Sequence, residues 1–214
     1  MAERRPLKTR ERRWAKALAS LLVRLRVRPN TISVASVLFA IFAAFGFLGS
    51  RNAVGWHRVV YLLVAAAGIQ MRLLANMLDG MVAVEGKMAS KTGDIYNDFP
   101  DRIADPIIIV PAGYAIVTCP WGIELGWLAG LLAVMTAYVR LLGGSMKLAQ
   151  DFRGPMAKPH RMATLTLAAI GDAVAGWFGH RDWLLAAGLA LIILGTIVTM
   201  ARRTARMAKE LESR

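Results

Sequence analysis

Six of the chain's 14 acidic residues fall between positions 75 and 105. They are Asp79, Glu85, Asp94, Asp98, Asp101 and Asp105, in the segment ANMLDGMVAVEGKMASKTGDIYNDFPDRIAD. At about 100° per residue, Asn76, Asp79, Gly80 and Ala83 share one face of a helix. So do Asp94, Asn97, Asp98, Asp101 and Asp105, provided their helix runs on through Pro100. Two such helices joined by a short loop would bring these faces together as a nest of oxygen ligands. Carboxylates at that spacing repel one another unless a cation lies between them. Oxygen donors suit a hard divalent ion, Mg2+, Mn2+ or Ca2+, and no His or Cys cluster accompanies them for zinc. The competing structural reading pairs the acids with Arg72, Arg102 and Arg140, so that they only hold helices together.

The elements that position these residues are apolar. The chain has 214 residues, 56% of them hydrophobic, and a mean hydropathy of +0.45. Thr31–Gly49, Pro106–Ile123 and Trp183–Met200 are runs without a charge. Val59–Val84 is interrupted only by Arg72 and Asp79, Leu125–Met146 by Arg140, and Met162–Gly179 by Asp172. A membrane-spanning helix needs roughly 20 apolar residues, so these runs predict six spans. Before them, Trp14–Val27 carries Trp14, Ala17, Leu18, Leu21, Leu22 and Leu25 at helical spacing, which predicts an amphipathic helix lying in the membrane interface. Arg28-Pro29-Asn30-Thr31 ends it, with Asn30 or Thr31 as a cap for the first span. The expected fold class is an all-α integral membrane protein, with six transmembrane helices preceded by an N-terminal amphipathic helix. It forms one domain: a basic interfacial segment 1–28, a six-helix domain 29–201 and a basic tail 202–214.

The net charge of +13 is uneven, with ten Arg and Lys residues among the first 28 positions. Six spans put this segment, Lys87 and Lys91, the loop with Lys147, Arg153, Lys158 and Arg161, and the tail on one side. The positive-inside rule makes that side cytoplasmic, with both termini there. The charge then serves topology and anionic lipids, and no nucleic-acid-binding motif accompanies it. A single cysteine, Cys119, excludes an internal disulfide. The long basic lead-in and the length of the first apolar run argue against a cleaved signal peptide.

The residues of the acidic segment resemble the signature of the CDP-alcohol phosphotransferases, D-x2-D-G-x2-A-R-x8-G-x3-D-x3-D. Asn76, Asp79-Gly80, Ala83-Val84, Gly93, Asn97 and Asp101 follow its spacing without a gap. Val27-Arg28-Pro29-Asn30-Thr31-Ile32 is similar to the family's opening P-N-x-I/T, and Ala137-Tyr138-Val139-Arg140 to its S-Y-x-R element. Asparagine replaces aspartate at positions 76 and 97 and Val84 replaces arginine, as in a divergent bacterial branch.

The resemblance implies transfer of a substituted phosphate from a CDP-linked donor, such as CDP-diacylglycerol, to an alcohol acceptor, with release of CMP. It implies Asn76, Asp79 and Asn97 as ligands of one or two Mg2+ or Mn2+ ions, Asp101 as general base and further metal ligand, and Gly80, Ala83 and Gly93 as points of close nucleotide approach. It also implies a homodimer, and a location in the bacterial inner membrane follows from the topology. Asp98, on the same face, is a further candidate ligand that makes up for the lost charges; Asp105 is another. Arg140, Arg153, Lys158 and Arg161 are candidates for phosphate binding. Two other readings stay open: a catalytically silent membrane protein that binds a nucleotide or lipid headgroup, and a cation transporter. The transporter is disfavoured because the acids gather at one surface instead of the midplane.

Overall fold

The computed structural model describes residues 12–88 and 92–213. Of the candidate residues, Lys91 falls outside them, and the side chains of Asp94 and Asn97 are likewise outside the description. The described residues fold into α1 (Arg13–Arg24), α2 (Pro29–Ser50), α3 (Gly55–Glu85), α4 (Gly93–Tyr114), α5 (Gly122–Ser145), α6 (Lys158–Ala175) and α7 (Trp183–Glu212), with a 3-10 turn at Gly176–Phe178. Helices α2, α3, α5 and α7 are long and apolar enough to cross a membrane. Helix α4 reaches its length by taking in the acidic segment, and α6 begins at Lys158. The uncharged run 106–123 is thus split: its first half completes α4, and residues 115–121 turn back toward α5.

Helices α2 to α7 form a ring. In space the order is α3, α2, α4, α5, α7, α6, and α6 returns to α3. Helix α2 therefore stands between α3 and α4, the two helices that carry the acidic faces, and each packs mainly on α2. The two faces do come together, as expected, but through side chains of α3 and α4 and not through close packing of the two helices. Glycines let the ring close tightly. A Cβ on Gly68 of α3 would lie 2.7 Å from the Ala43 nitrogen of α2, and one on Gly113 of α4 would lie 2.7 Å from Gly126 Cα of α5. Inside, Phe47, Leu62, Ile69, Ile108, Leu165, Leu189 and Ile192 make one continuous apolar core.

Several local expectations change. Pro29 occupies the first turn of α2, and neither Asn30 nor Thr31 caps it; the proline already lacks the N–H that a cap would satisfy. Helix α4 runs unbroken through Pro100, Pro106 and Pro111. The tail from position 202 continues α7 as helix to Glu212. Gly143 lies against Met207 of α7, so it closes a contact within the bundle. Helix α1 has two apolar faces. Ala15 and Ala19 are buried against Met77, Leu78, Met81 and Val82 of α3, with Leu18 and Leu22 beside them, while Trp14, Leu21 and Leu25 stay exposed.

At the end of the bundle away from the acidic segment, a second ion cluster joins the connections. Arg58 of α3 donates to Asp172 of α6 at 2.5 Å and to Asp182 at 2.7 Å. Asp182 precedes α7 at φ 68° and accepts from the Val117 and Thr118 backbone N–H groups at 2.9 and 3.0 Å. Asp172 also accepts from the N–H groups of Asp182 and Leu184. Asp172, the one charge in its run of sequence, is thus buried against a neighbouring helix.

Candidate active site

The acidic nest forms where α3 ends and α4 begins. Its centre is Asp101. Asn76 Nδ2 donates to Asp101 Oδ1 at 2.7 Å, and Arg72, one helical turn earlier on the same face of α3, donates to the same oxygen. Lys158, the first residue of α6, places Nζ 2.5 Å from Asp101 Oδ2. Side chains of α3, α4 and α6 thus meet at one carboxylate.

Asp79 is held differently. It is 5% exposed, and Ser33 Oγ of α2 donates to its Oδ2 at 2.6 Å. Among the described residues no cation pairs with it, although it lies close enough to feel the charges of Asp101 and Lys158. A buried carboxylate without a counter-charge is costly unless something neutralises it. Ser33 carries no mark in the sequence beyond facing inward on an otherwise apolar helix, so spacing within the acidic segment could not reveal it.

The remaining acids already have partners. Asp98 accepts from Arg102 at 2.7 Å and from Arg140 of α5 at 2.5 Å. Arg140 in turn stacks over the Phe152 ring, 5.1 Å from its centroid. Asp105 is buried and paired with Arg161 at 3.0 Å, with Lys158 3.9 Å away. Glu85 is exposed at the end of α3, beyond the nest. Gly80 and Ala83 continue the face of α3 that carries Asp79, and Gly93 begins α4. Arg153 stands apart: its guanidinium is largely exposed and pairs with Asp151 at 3.0 Å in the α5–α6 connection. Arg206 of α7 donates to the same aspartate at 2.7 Å. Partial burial opposes the charged form of Asp151, but the side chain and N–H of Arg153 and the guanidinium of Arg206 outweigh it and draw Asp151 down to about 2.

Would these residues suit a divalent ion? Among the described residues no group of three or more His, Cys, Asp and Glu stands close enough to hold one. The two carboxylates of the nest differ in this respect. Asp79 has buried negative charge to spare, and Asn76 adds an amide oxygen on the same face. Both oxygens of Asp101 are already engaged. Among the described residues the donor set therefore suits one hard ion at Asp79, completed by water or phosphate oxygens.

No protein-family model matches the chain, and no curated protein matches it. Solved structures do. Phosphatidylinositol phosphate synthase (PgsA1) of Mycobacterium tuberculosis with CDP-DAG bound superposes with a TM-score of 0.75 at 17% identity, over 92% of this chain and 94% of that one. The same enzyme in complex with manganese and citrate gives a TM-score of 0.74 at 17% identity, over 90% and 88% of the two chains. Its apo form gives 0.70 at 17% identity, over 88% and 93%. The chain has the fold of a CDP-alcohol phosphotransferase, as the signature in its acidic segment led us to expect.

Proposed function

We propose that this protein is a multi-pass membrane CDP-alcohol phosphotransferase that moves a phosphatidyl group from CDP-diacylglycerol, or a similar CDP-linked lipid, to an alcohol acceptor in phospholipid synthesis. The observation that carries this reading is the convergence of Asp79 of α3 and Asp101 of α4, tied to α3 through Asn76, at one end of a bundle shared with a CDP-DAG-binding enzyme. The chain is one membrane domain. Helices α4 and α6 cross the bilayer together with the four longer ones, α1 lies in the interface, and the site opens on the cytoplasmic side of a bacterial inner membrane. A lipid-linked donor then enters sideways from the leaflet and a polar acceptor arrives from water. The protein works as a homodimer.

The chemistry follows from charge. A pyrophosphate is multiply anionic, and an alcohol oxygen cannot approach its phosphorus until that charge is neutralised. A Mg2+ or Mn2+ ion held by Asp79, Asn76 and Asn97 would neutralise phosphate oxygens and the departing CMP. Asp98 serves in this reading through the arginines it orients, Arg102 and Arg140, more than as a metal ligand. Gly80, Ala83 and Gly93 leave room for the cytidine phosphate to approach the backbone. Arg140, Lys158 and Arg161 face phosphate groups, and Arg153 stands at the entrance. Asp101, oriented by Asn76, Arg72 and Lys158, accepts the proton of the acceptor hydroxyl. The freed oxygen bonds to the phosphorus that carries the diacylglycerol, the bond from that phosphorus to CMP breaks, and CMP leaves with the electron pair.

The test is release of CMP from CDP-diacylglycerol by purified protein, with and without Mg2+ or Mn2+. Glycerol phosphate, inositol phosphate, serine and simple polyols form the acceptor panel. Metal-dependent release with one acceptor establishes the activity and names the product. A second reading, a silent nucleotide- or headgroup-binding protein, is favoured by the two asparagines. It predicts donor binding with no CMP release for any acceptor.

A further inference from the structure

Arg72 is the feature that the proposed chemistry leaves unexplained. It is 1% exposed, among the largest fully buried side chains, and only its Nη2 has a partner, Asp101. Its Nε and Nη1 are buried and donate to nothing among the described residues. A guanidinium carries five N–H donors in a planar fork, and leaving them unmet in a dry interior is expensive. Beside it, Lys158 is 2.5 Å from the other Asp101 oxygen. Asn76 completes the arrangement. An amide can donate directly to Asp101, whereas an aspartate at 2.7 Å would repel it unless a proton or a metal ion lay between them. The immediate charges of Asp79, Asp101, Arg72 and Lys158 therefore sum to zero. Among the described residues Asp79 has hydrogen bonds from Ser33 and the Gly80 N–H but no paired cation, and Asp101 is over-supplied.

Resting on the phosphotransferase reading, we infer that the donor's pyrophosphate is gripped by a single divalent ion at Asp79 and by Arg72 and Lys158, two side-chain cations that take the place of a second ion. Before the donor arrives, Asp101 holds both cations in position. When phosphate oxygens reach the nest where α3 ends and α4 begins, the unused donors of Arg72 and the ammonium of Lys158 bind them. Such charge-assisted bonds to phosphate are the strong class, and Arg presents them in a matching planar geometry. Asn76 fits this arrangement because it bridges the helices without attracting another metal ion.

The experiment counts ions and measures nucleotide binding on the full-length protein in detergent or nanodiscs. Mn2+ binding is followed by electron paramagnetic resonance at saturating CDP, and CDP binding by calorimetry with and without Mn2+. The inference expects one Mn2+ per chain and measurable CDP binding without metal. Lys158→Gln should weaken the metal-free CDP binding by about tenfold or more, the size expected for a lost bond to a charged group, and should leave Mn2+ affinity in the absence of CDP undiminished. Asn76→Asp, nearly identical in volume, should tighten Mn2+ binding and raise the count toward two, which keeps the test open should removing Lys158 impair folding. Two Mn2+ per chain in the unaltered protein, or metal-free CDP binding indifferent to Lys158→Gln, would overturn the inference while leaving the phosphotransferase reading in place. CDP binding under no condition would overturn both.

Discussion

The bundle carries buried ion clusters at both ends, and they are built differently. At the far end, Arg58 uses two donor nitrogens on Asp172 and Asp182, and both carboxylates are completed by backbone N–H groups from the α4–α5 connection and the start of α7. All three residues are essentially inaccessible. At the site end, Asp79 has a hydroxyl and the Gly80 N–H but, among the described residues, no cation; Arg72 has unused donors, and Asp101 keeps 17% of its side chain exposed. At the far end both carboxylates are closed by a cation and by N–H groups, although Arg58 keeps its Nε without a partner. A cluster with an anion that lacks a paired cation, beside over-supplied cations, is poised for a ligand that carries both charges, such as a metal–phosphate complex. Burial of charge alone does not separate the two cases; whether each buried carboxylate has a cation against it does.

If the far cluster is a structural clasp, breaking it should produce the largest loss of stability. Arg58→Met leaves two buried carboxylates uncompensated and should cost about 3–5 kcal/mol. Thermal unfolding in detergent measures it, with Leu131→Ala on an exposed helix face as control; equal melting temperatures would deny the clasp. At the other end the effect should fall on function. Asp101→Asn should lower turnover by about 10²–10⁴-fold while metal-dependent CDP binding largely persists. Loss of binding with unchanged turnover at saturation would contradict the role as base.

Asp79→Ala sharpens the contrast further. It should weaken Mn2+ and donor binding by about 10–100-fold or more without lowering the melting temperature, because it removes a buried charge with no paired cation among the described residues. Unchanged Mn2+ affinity would remove Asp79 from the metal site. Ser33→Ala should act in the same direction on a smaller scale, by about 0.5–1.5 kcal/mol in Mn2+ binding, since one hydrogen bond to Asp79 is lost. The smallest effect belongs to Asp151. Its folded value of about 2 lies below the usual 3.8, so its pairs with Arg153 and Arg206 stabilise the fold above about pH 4 and cease to do so as pH falls toward 2. Asp151→Asn should therefore cost at most about 1 kcal/mol at neutral pH and nothing near pH 2, read from the melting temperature across that range.

Much of this was legible beforehand. The apolar runs located every helix from α2 to α7, because burial in a core or a bilayer demands a length and a composition that show in one dimension. The face shared by Asn76 and Asp79, and that shared by Asp98, Asp101 and Asp105, followed from helical periodicity. Less legible were the ends. Pro106–Ile123 reads as one uncharged run, yet the chain turns back after Tyr114, and the helix extends into the charged side instead. Composition sees apolar residues there; it does not see where the backbone must reverse to let Gly113 meet Gly126.

The sequence by itself determined which residues lie on one face of one helix, since that depends only on the angle between successive residues. It determined in the same way that the chain is helical, apolar and rich in carboxylates at one level. Only the tertiary structure decided which of those carboxylates are already satisfied. That α2 stands between α3 and α4, that Ser33 meets Asp79, that Lys158 and Arg72 close on Asp101, and that Arg58 joins Asp172 to Asp182 all depend on the rotation and depth of separate helices. Those are set by the fit of small residues against neighbouring backbones across the whole ring, and no local spacing encodes them.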